Sequence, residues 1–238
     1  MRRVVPGARR QHGRRGRCHR QRQSTLLHLL NRTYVPDAGR VSIDGVPTTE
    51  GDTGSLRSQI AVVEQDVVLF SRTIAENLAL GAERGAGRAR LEAAARTAQA
   101  HAFITATEHG YDTVLGERGV TLSGGQRQRL AIARALVTDP RILAVDDATS
   151  AVDAVTEHEL QRAMRQAAAG RTTFLVTARL SRIRAADHIL VLDAGRIAGQ
   201  GTHEQLLRNC PVYRRIFTPY LDEPVPGPRT LDAEKESR

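Results

Sequence analysis

The chain has 238 residues, 40% of them hydrophobic, with few aromatics and no Trp, a composition that suits one sizeable domain with an aliphatic core. Its two cysteines, Cys18 and Cys210, exclude a disulfide framework and fit a reducing compartment such as the cytosol. The net charge is +9, but nine of the 35 basic residues are arginines within residues 1–23, where there is no acid, so the rest of the chain carries 26 basic and 26 acidic side chains. Such an arm is the kind that meets nucleic acid or an acidic membrane surface. It lacks interleaved aromatics and any groove-reading pattern, so no specific nucleic-acid partner is expected. No apolar window of roughly 18 residues is present to span a membrane, and no secretory or lipidation signal or internal repeat is seen.

Beyond the arm, Thr25 to Leu30 reads as the opening of a helix. Asp37-Ala38-Gly39 is a turn, and Arg40 to Ile43 with Asp44-Gly45 reads as a strand ending in a hairpin turn. Ile60 to Val63 is a short strand. Ala89 to Ala98 is alanine-rich and favours helix. Residues 126–137 form a helix that ends before Pro140. Ile142–Val145 and Phe174–Val176 are buried strands, with an amphipathic helix from His158 to Ala168 between them. That alternation implies a parallel sheet. Asp222 to Arg238, rich in Pro and charge, reads as a disordered tail.

Two strings carry the chemistry. In Leu122-Ser123-Gly124-Gly125-Gln126-Arg127-Gln128-Arg129-Leu130, two glycines precede a helix-period run. Glycine lets a ligand approach the backbone, and the helix start offers free N–H groups to an anion. After one helix-length, Ile142-Leu143-Ala144-Val145-Asp146-Asp147 is an apolar run ending in paired carboxylates, suited to a buried strand that delivers acids to a metal.

In this order and spacing the strings resemble the signature motif and Walker B strand of ABC-type ATPases. The resemblance runs from about Ser24 to Phe217. Val62 to Ser71, with Gln65, looks like the Q-loop of ABC exporters, and Ser150-Ala151-Val152-Asp153 looks like the D-loop. The late segments Ile189–Ile197 and Gly201–Leu207 are also similar to the family. The resemblance implies an α/β fold: a RecA-like P-loop NTPase core (24–71 and 140–217) interrupted by a helical lobe (72–139), within an ABC ATPase domain spanning 24–220. It implies ATP and Mg²⁺ as cofactors. Ser24, Gln65 and Asp146 are the implied Mg²⁺ residues. Ser24, Thr25, Gln65, Ser123, Gly124, Gly125, Gln126 and Asp153 are the implied nucleotide-binding residues. In this family two domains pack head to tail, and each ATP lies between one domain's Walker motifs and the other's signature motif.

The chain departs from the family at three places. In the Walker A pattern G-x-x-x-x-G-K-[ST], the glycine positions hold Arg17 and Arg22, the lysine position holds Gln23, and only Ser24 survives; the chain's single lysine is Lys235. Reading plausible codons one base later recovers G-A-T-G-S-G-K. Residues 1–23 are therefore either out of frame, through a one-base deletion near codon 23, or a disordered basic arm. Either way the first strands and the phosphate loop are scrambled, and loss of the first strand should expose the sheet. The other two departures lie in frame. Asp147 replaces the glutamate that serves as general base, and Ala178 stands where the family has its switch histidine.

An intact donating half and an impaired receiving half match the degenerate subunit of a heterodimeric exporter. The implied function is ATP binding and hydrolysis energising transport. The implied partners are a second nucleotide-binding domain, which receives the signature motif, and the coupling helices of a transmembrane domain, which would hold this chain at the cytoplasmic face of the membrane. The alternative is a non-catalytic pseudo-ATPase or pseudogene fragment with little ATP binding.

Overall fold

The computed structural model describes residues 3–7, 16–82, 85–116, 122–147 and 154–221. A six-stranded sheet carries the fold, in the order β4-β5-β6-β1-β7-β8. Its strands are β1 (Arg3–Gly7), β4 (Ile60–Val63), β5 (Ile142–Asp147), β6 (Thr172–Thr177), β7 (His188–Asp193) and β8 (Arg196–Gly201). β4, β5, β6, β1 and β7 run parallel, and β8 returns antiparallel to β7. All six residues of β5 are buried. Its near-continuous apolar run is the pattern of a parallel strand covered on both faces.

The expected loss of the first strand does not occur. β1 sits between β6 and β7, pairing Val4 with Phe174 and with His188, and Gly7 with Thr177 and Val191. A central slot of a parallel sheet asks only for an extended segment of β-favouring residues, and Val4-Val5 supplies it. Pro6 has no N–H to give the ladder.

The start of the first helix is a second correction. α1 runs from Gly16 to Leu30, so residues 16–23, read from the sequence as out of frame or as part of a disordered arm, are helical. Residues 17–23, Arg-Cys-His-Arg-Gln-Arg-Gln, contain no Gly or Pro to break a helix, and Arg and Gln favour one. Between β1 and α1, residues 8–15 lie outside the description, as do 222–238, where the tail was expected.

A small hairpin, β2 (Ser42–Ile43) and β3 (Val46–Pro47), turns at Asp44-Gly45, both with positive φ (50° and 83°). That pair of left-handed residues is the mirror-image turn whose twist matches two antiparallel strands. Ala194-Gly195 repeats it between β7 and β8 (48° and 81°). α2 (Thr53–Ser58) precedes β4.

Between β4 and β5 lies the helical lobe: α3 (Ile74–Ala79), α4 (Arg88–Thr97), α5 (His101–Thr105), a 3₁₀ turn (Gly110–Asp112) and α6 (Gly124–Val137). A capping box starts α3, with Thr73 and Glu76 bonding each other's backbone N–H. That backbone N–H holds the Glu76 carboxyl below its ordinary value. α6 is the shared wall of the molecule. Leu130, Ile132, Ala133 and Val137 are all buried, and the helix packs on α3 and α4 of the lobe and on α7 and β4 of the core. α7 (Ala154–Ala168) buries Leu160, Ala163, Met164, Ala167 and Ala168, the i, i+3, i+4, i+7, i+8 stripe of an amphipathic helix. α8 (Leu180–Arg184), α9 (His203–Asn209) and α10 (Pro211–Leu221) complete the chain. None of the helices in the described residues is long and apolar enough to cross a membrane.

Candidate functional site

One edge of the sheet gathers the chemistry. In the parallel register Val63 pairs with Val145, Asp146 with Val176, and Asp147 and Gly7 each with Thr177. The segments leaving the C-terminal ends of β4, β5 and β6 therefore emerge side by side. They carry Gln65, the Asp146–Asp147 pair and Ala178. In open α/β sheets that edge is where ligands bind.

Ser24, on α1, donates its hydroxyl proton to Asp146 Oδ2. Asp146 is 2% exposed. A hydroxyl beside a carboxylate is a hard oxygen pair, the ligand type that Mg²⁺ takes alongside several waters. Ser24 and Asp146 thus fit a Mg²⁺ ion, with Gln65 on the neighbouring strand end. Thr25 is exposed on the next position of α1. The phosphate cradle does not fit. Residues 17–23 are helical turns rather than a loop, Gln23 is buried (4% exposed), and there is no lysine among the described residues. No step of ATP chemistry is derived through that segment.

Asp147 is buried at the end of β5. Its side chain has no exposed surface. Arg182 pairs with its Oδ2, and Arg179 Nε lies 3.7 Å from the same oxygen. Thr177 Oγ1 donates to Oδ2 at 3.0 Å, and Gln128 Nε2 donates to Oδ1 at 3.5 Å. Glu157, on the first turn of α7, pairs with both arginines. Asp147 is thus enclosed by two guanidinium groups, a hydroxyl and an amide. Ala178, directly beyond β6, is exposed and has no polar side-chain atom to offer a phosphate. Sequence reasoning missed Arg179, Arg182 and Glu157, because nothing in the string Thr177-Ala178-Arg179-Leu180-Ser181-Arg182 says which distant acid the arginines meet.

The second cluster is the start of α6. Ser123 caps the helix: its hydroxyl accepts from Gln126 N at 3.2 Å, while Gln126 Oε1 accepts from Ser123 N at 2.9 Å. Arg127 Nη1 donates to the Leu122 carbonyl at 2.5 Å. These bonds fix the turn before the helix. Ser123 and Gly124 are exposed, whereas Gly125 is buried. A Cβ on Gly125 would overlap Thr156 Cγ2 of α7, while a Cβ on Gly124 would meet nothing nearer than Arg127 Nη2 at 3.9 Å. The two glycines therefore differ. Gly124 is open to a ligand, and Gly125 admits close packing of α6 on α7. Asp153, the remaining expected site residue, lies outside the described residues.

The segment after Gln65 is held from behind. Asn77, 1% exposed, accepts from Phe70 N at 2.8 Å and donates to the carbonyls of Phe70 (2.9 Å) and Thr73 (3.0 Å). Arg134 Nη1 donates to the Val68 carbonyl at 2.9 Å, and burial pulls its guanidinium below the ordinary value. The tethered turn leaves Val68 57% and Phe70 49% exposed.

Known proteins align with this arrangement. The ABC transporter family model matches residues 23–150. An ATP-dependent lipid A-core flippase of Alcanivorax borkumensis is 47% identical over 195 residues, covering 82% of this chain and 34% of that protein. The cyclolysin secretion/processing ATP-binding protein CyaB of Bordetella pertussis is 49% identical over 194 residues, covering 82% of this chain and 27% of that protein. The chain thus spans about a third of the length of the curated relatives it matches. The solved structure of a bacterial Atm1-family ABC exporter with ATP bound superposes with a TM-score of 0.80 at 42% identity, covering 94% of this chain and 37% of that one. With the sheet, the capped signature helix and the acidic strand end all in place, this chain belongs to the ABC transporter family, as an exporter-type nucleotide-binding domain.

Proposed function

We propose that this chain serves an ABC exporter as the weakly catalytic member of a pair of unlike nucleotide-binding domains. It donates its signature motif to the ATP site of a competent partner. The contrast between its two clusters carries the reading. At the start of α6, Ser123 and Gly124 are exposed on a capped helix N-terminus, ready for an anion. At the sheet edge, Asp147 is enclosed by two guanidinium groups and Ala178 supplies no donor. Mg²⁺ would be held by Ser24, Asp146 and Gln65. The exposed Val68 and Phe70 would meet the coupling helices of a transmembrane domain, which would hold the chain at the cytoplasmic face of a membrane.

The test is the ATPase activity of the chain assembled with its partner. Ser123→Arg places a bulky cation at the donated motif and is expected to abolish turnover. Asp147→Asn in this chain is expected to leave turnover within about threefold. Undiminished activity with Ser123→Arg would sink the proposal.

A second reading, a domain with little ATP binding of its own, is favoured by the helical course of residues 17–23. It predicts that the isolated chain binds ATP at best weakly in equilibrium dialysis. Sequencing the gene across codons 1–25 tests the accompanying one-base deletion.

A further inference from the structure

If Asp147 is not a base, its burial needs another account. A carboxylate without exposed surface is costly unless it is paired and hydrogen-bonded. Here the pairing is shared by four residues, two of each sign. Arg182 reaches Asp147 Oδ2 with Nη1 and Glu157 Oε1 with Nη2, the latter at 3.4 Å. Arg179 likewise spans Asp147 and Glu157. The Arg182 side chain is only 6% exposed. The cluster joins the end of β5, the start of α8 and the first turn of α7.

That first turn of α7 is also what touches the signature helix. Thr156, the neighbour of Glu157, places its methyl where a Cβ of Gly125 would lie. From the other side Gln128, three residues along α6 from Gly125, donates to Asp147 Oδ1 at 3.5 Å. A closed ring of contacts therefore runs from Asp147 through Arg182 to Glu157 and Thr156, on to Gly125, and back through Gln128. Energetic coupling between sites is carried by such contiguous packed and hydrogen-bonded elements.

We infer that Arg182 is a positioning residue for the signature motif. By holding Asp147 and Glu157 together it seats the first turn of α7 against α6, and so fixes where Ser123 and Gly124 are presented to the partner's nucleotide. The carboxylate at the base position has become the anchor of the motif this chain donates. The inference rests on the proposed donation for its functional half only.

Amide hydrogen exchange of the full chain tests the placement without a partner. Arg182→Met is expected to speed exchange at residues 122–127 and 156–160 by tenfold or more, while α4 and α9 change by less than twofold. Arg182→Lys, which keeps a charge but loses the two-armed fork, is expected to recover part of that protection. Thr156→Ser removes only the methyl against Gly125, leaves the ion cluster whole, and is expected to loosen 122–127 alone. Unchanged exchange at 122–127 in Arg182→Met overturns the inference, whatever Thr156→Ser does. So does a uniform rise across the whole chain, which marks general destabilisation. With the competent partner present, Arg182→Met is expected to raise the KM for ATP at least threefold with kcat changed less than twofold. If Ser123→Arg leaves turnover intact, donation fails while the exchange result still judges the anchor.

Discussion

The two signature glycines should respond oppositely to one added methyl. Alanine at Gly125 would put a Cβ into Thr156 Cγ2, with Thr156 Cβ at 3.5 Å behind it. The obstacle is the tip of a short, β-branched side chain on a helix, whose χ1 has few alternatives, so α6 and α7 must part slightly. Overpacking of this kind costs about 1–3 kcal/mol, set against a gain of up to about 1 kcal/mol when glycine in a helix becomes alanine. With so deep an overlap the cost falls in the upper part of that range, about 2–3 kcal/mol, so the net is a loss of about 1–2 kcal/mol, or about 2–8 °C in melting temperature at about 2–4 °C per kcal/mol for a domain of this size. Gly124→Ala meets only Arg127 Nη2 at 3.9 Å, keeps the helix gain unopposed, and should melt no lower than the parent and up to about 4 °C above it. Thermal unfolding followed by circular dichroism reads both. Adding Thr156→Ser to Gly125→Ala should restore most of the loss, because the clashing methyl is gone. Equal melting temperatures for Gly124→Ala and Gly125→Ala would refute the assignment of Gly125 to packing.

Two further outcomes follow from buried polar groups elsewhere. His203, packed against Tyr213 and Phe217 with its Nδ1 2.7 Å from Tyr213 Oη, is held below its ordinary pKa by burial, with help from Arg184 and opposition from Glu204. The neutral ring is what folding favours, so its stabilisation is complete above about pH 6.5 and is lost as the pH falls below that value. The melting temperature of His203→Gln should therefore decline less than that of the parent between pH 7 and pH 5, and parallel declines would contradict this. Asn77→Ala removes the buried amide that ties Phe70 and Thr73, leaving Phe70 N–H without that partner. A cost of about 1–3 kcal/mol is expected, and limited chymotrypsin digestion should cut at Phe70 faster; an unchanged cleavage rate would show that the tether is unimportant.

Much of this architecture was legible because its signals are local. The hairpin at Asp44-Gly45, the apolar run of β5, the amphipathic spacing of α7 and the two glycines at the start of α6 are each set by neighbours within a turn or two. The nature of Asp147 was not legible. As a sequence it is a glutamate shortened by one carbon. Its fate depends on Arg182, 35 positions away, and on Glu157, which only the packing of α7 and α8 brings together. The same holds for Gly125, whose partner Thr156 is 31 positions distant. The basic segment misled for a different reason. Composition spoke of solvation, while Val4-Val5 and the unbroken run from Arg17 to Gln23 had ordinary strand and helix preferences.

The double duty of α6 reaches beyond this domain. Its N-terminus faces outward, and its buried side joins the helical lobe to the sheet. A partner that grips Ser123 and Gly124 through its own nucleotide binds only the folded form of this chain. Such a ligand at 100 times its dissociation constant stabilises the native state by about 2.7 kcal/mol. On the proposed pairing, the partner's ATP would then act as a thermal protectant for this chain, and the lifetime of this subunit would follow the company it keeps.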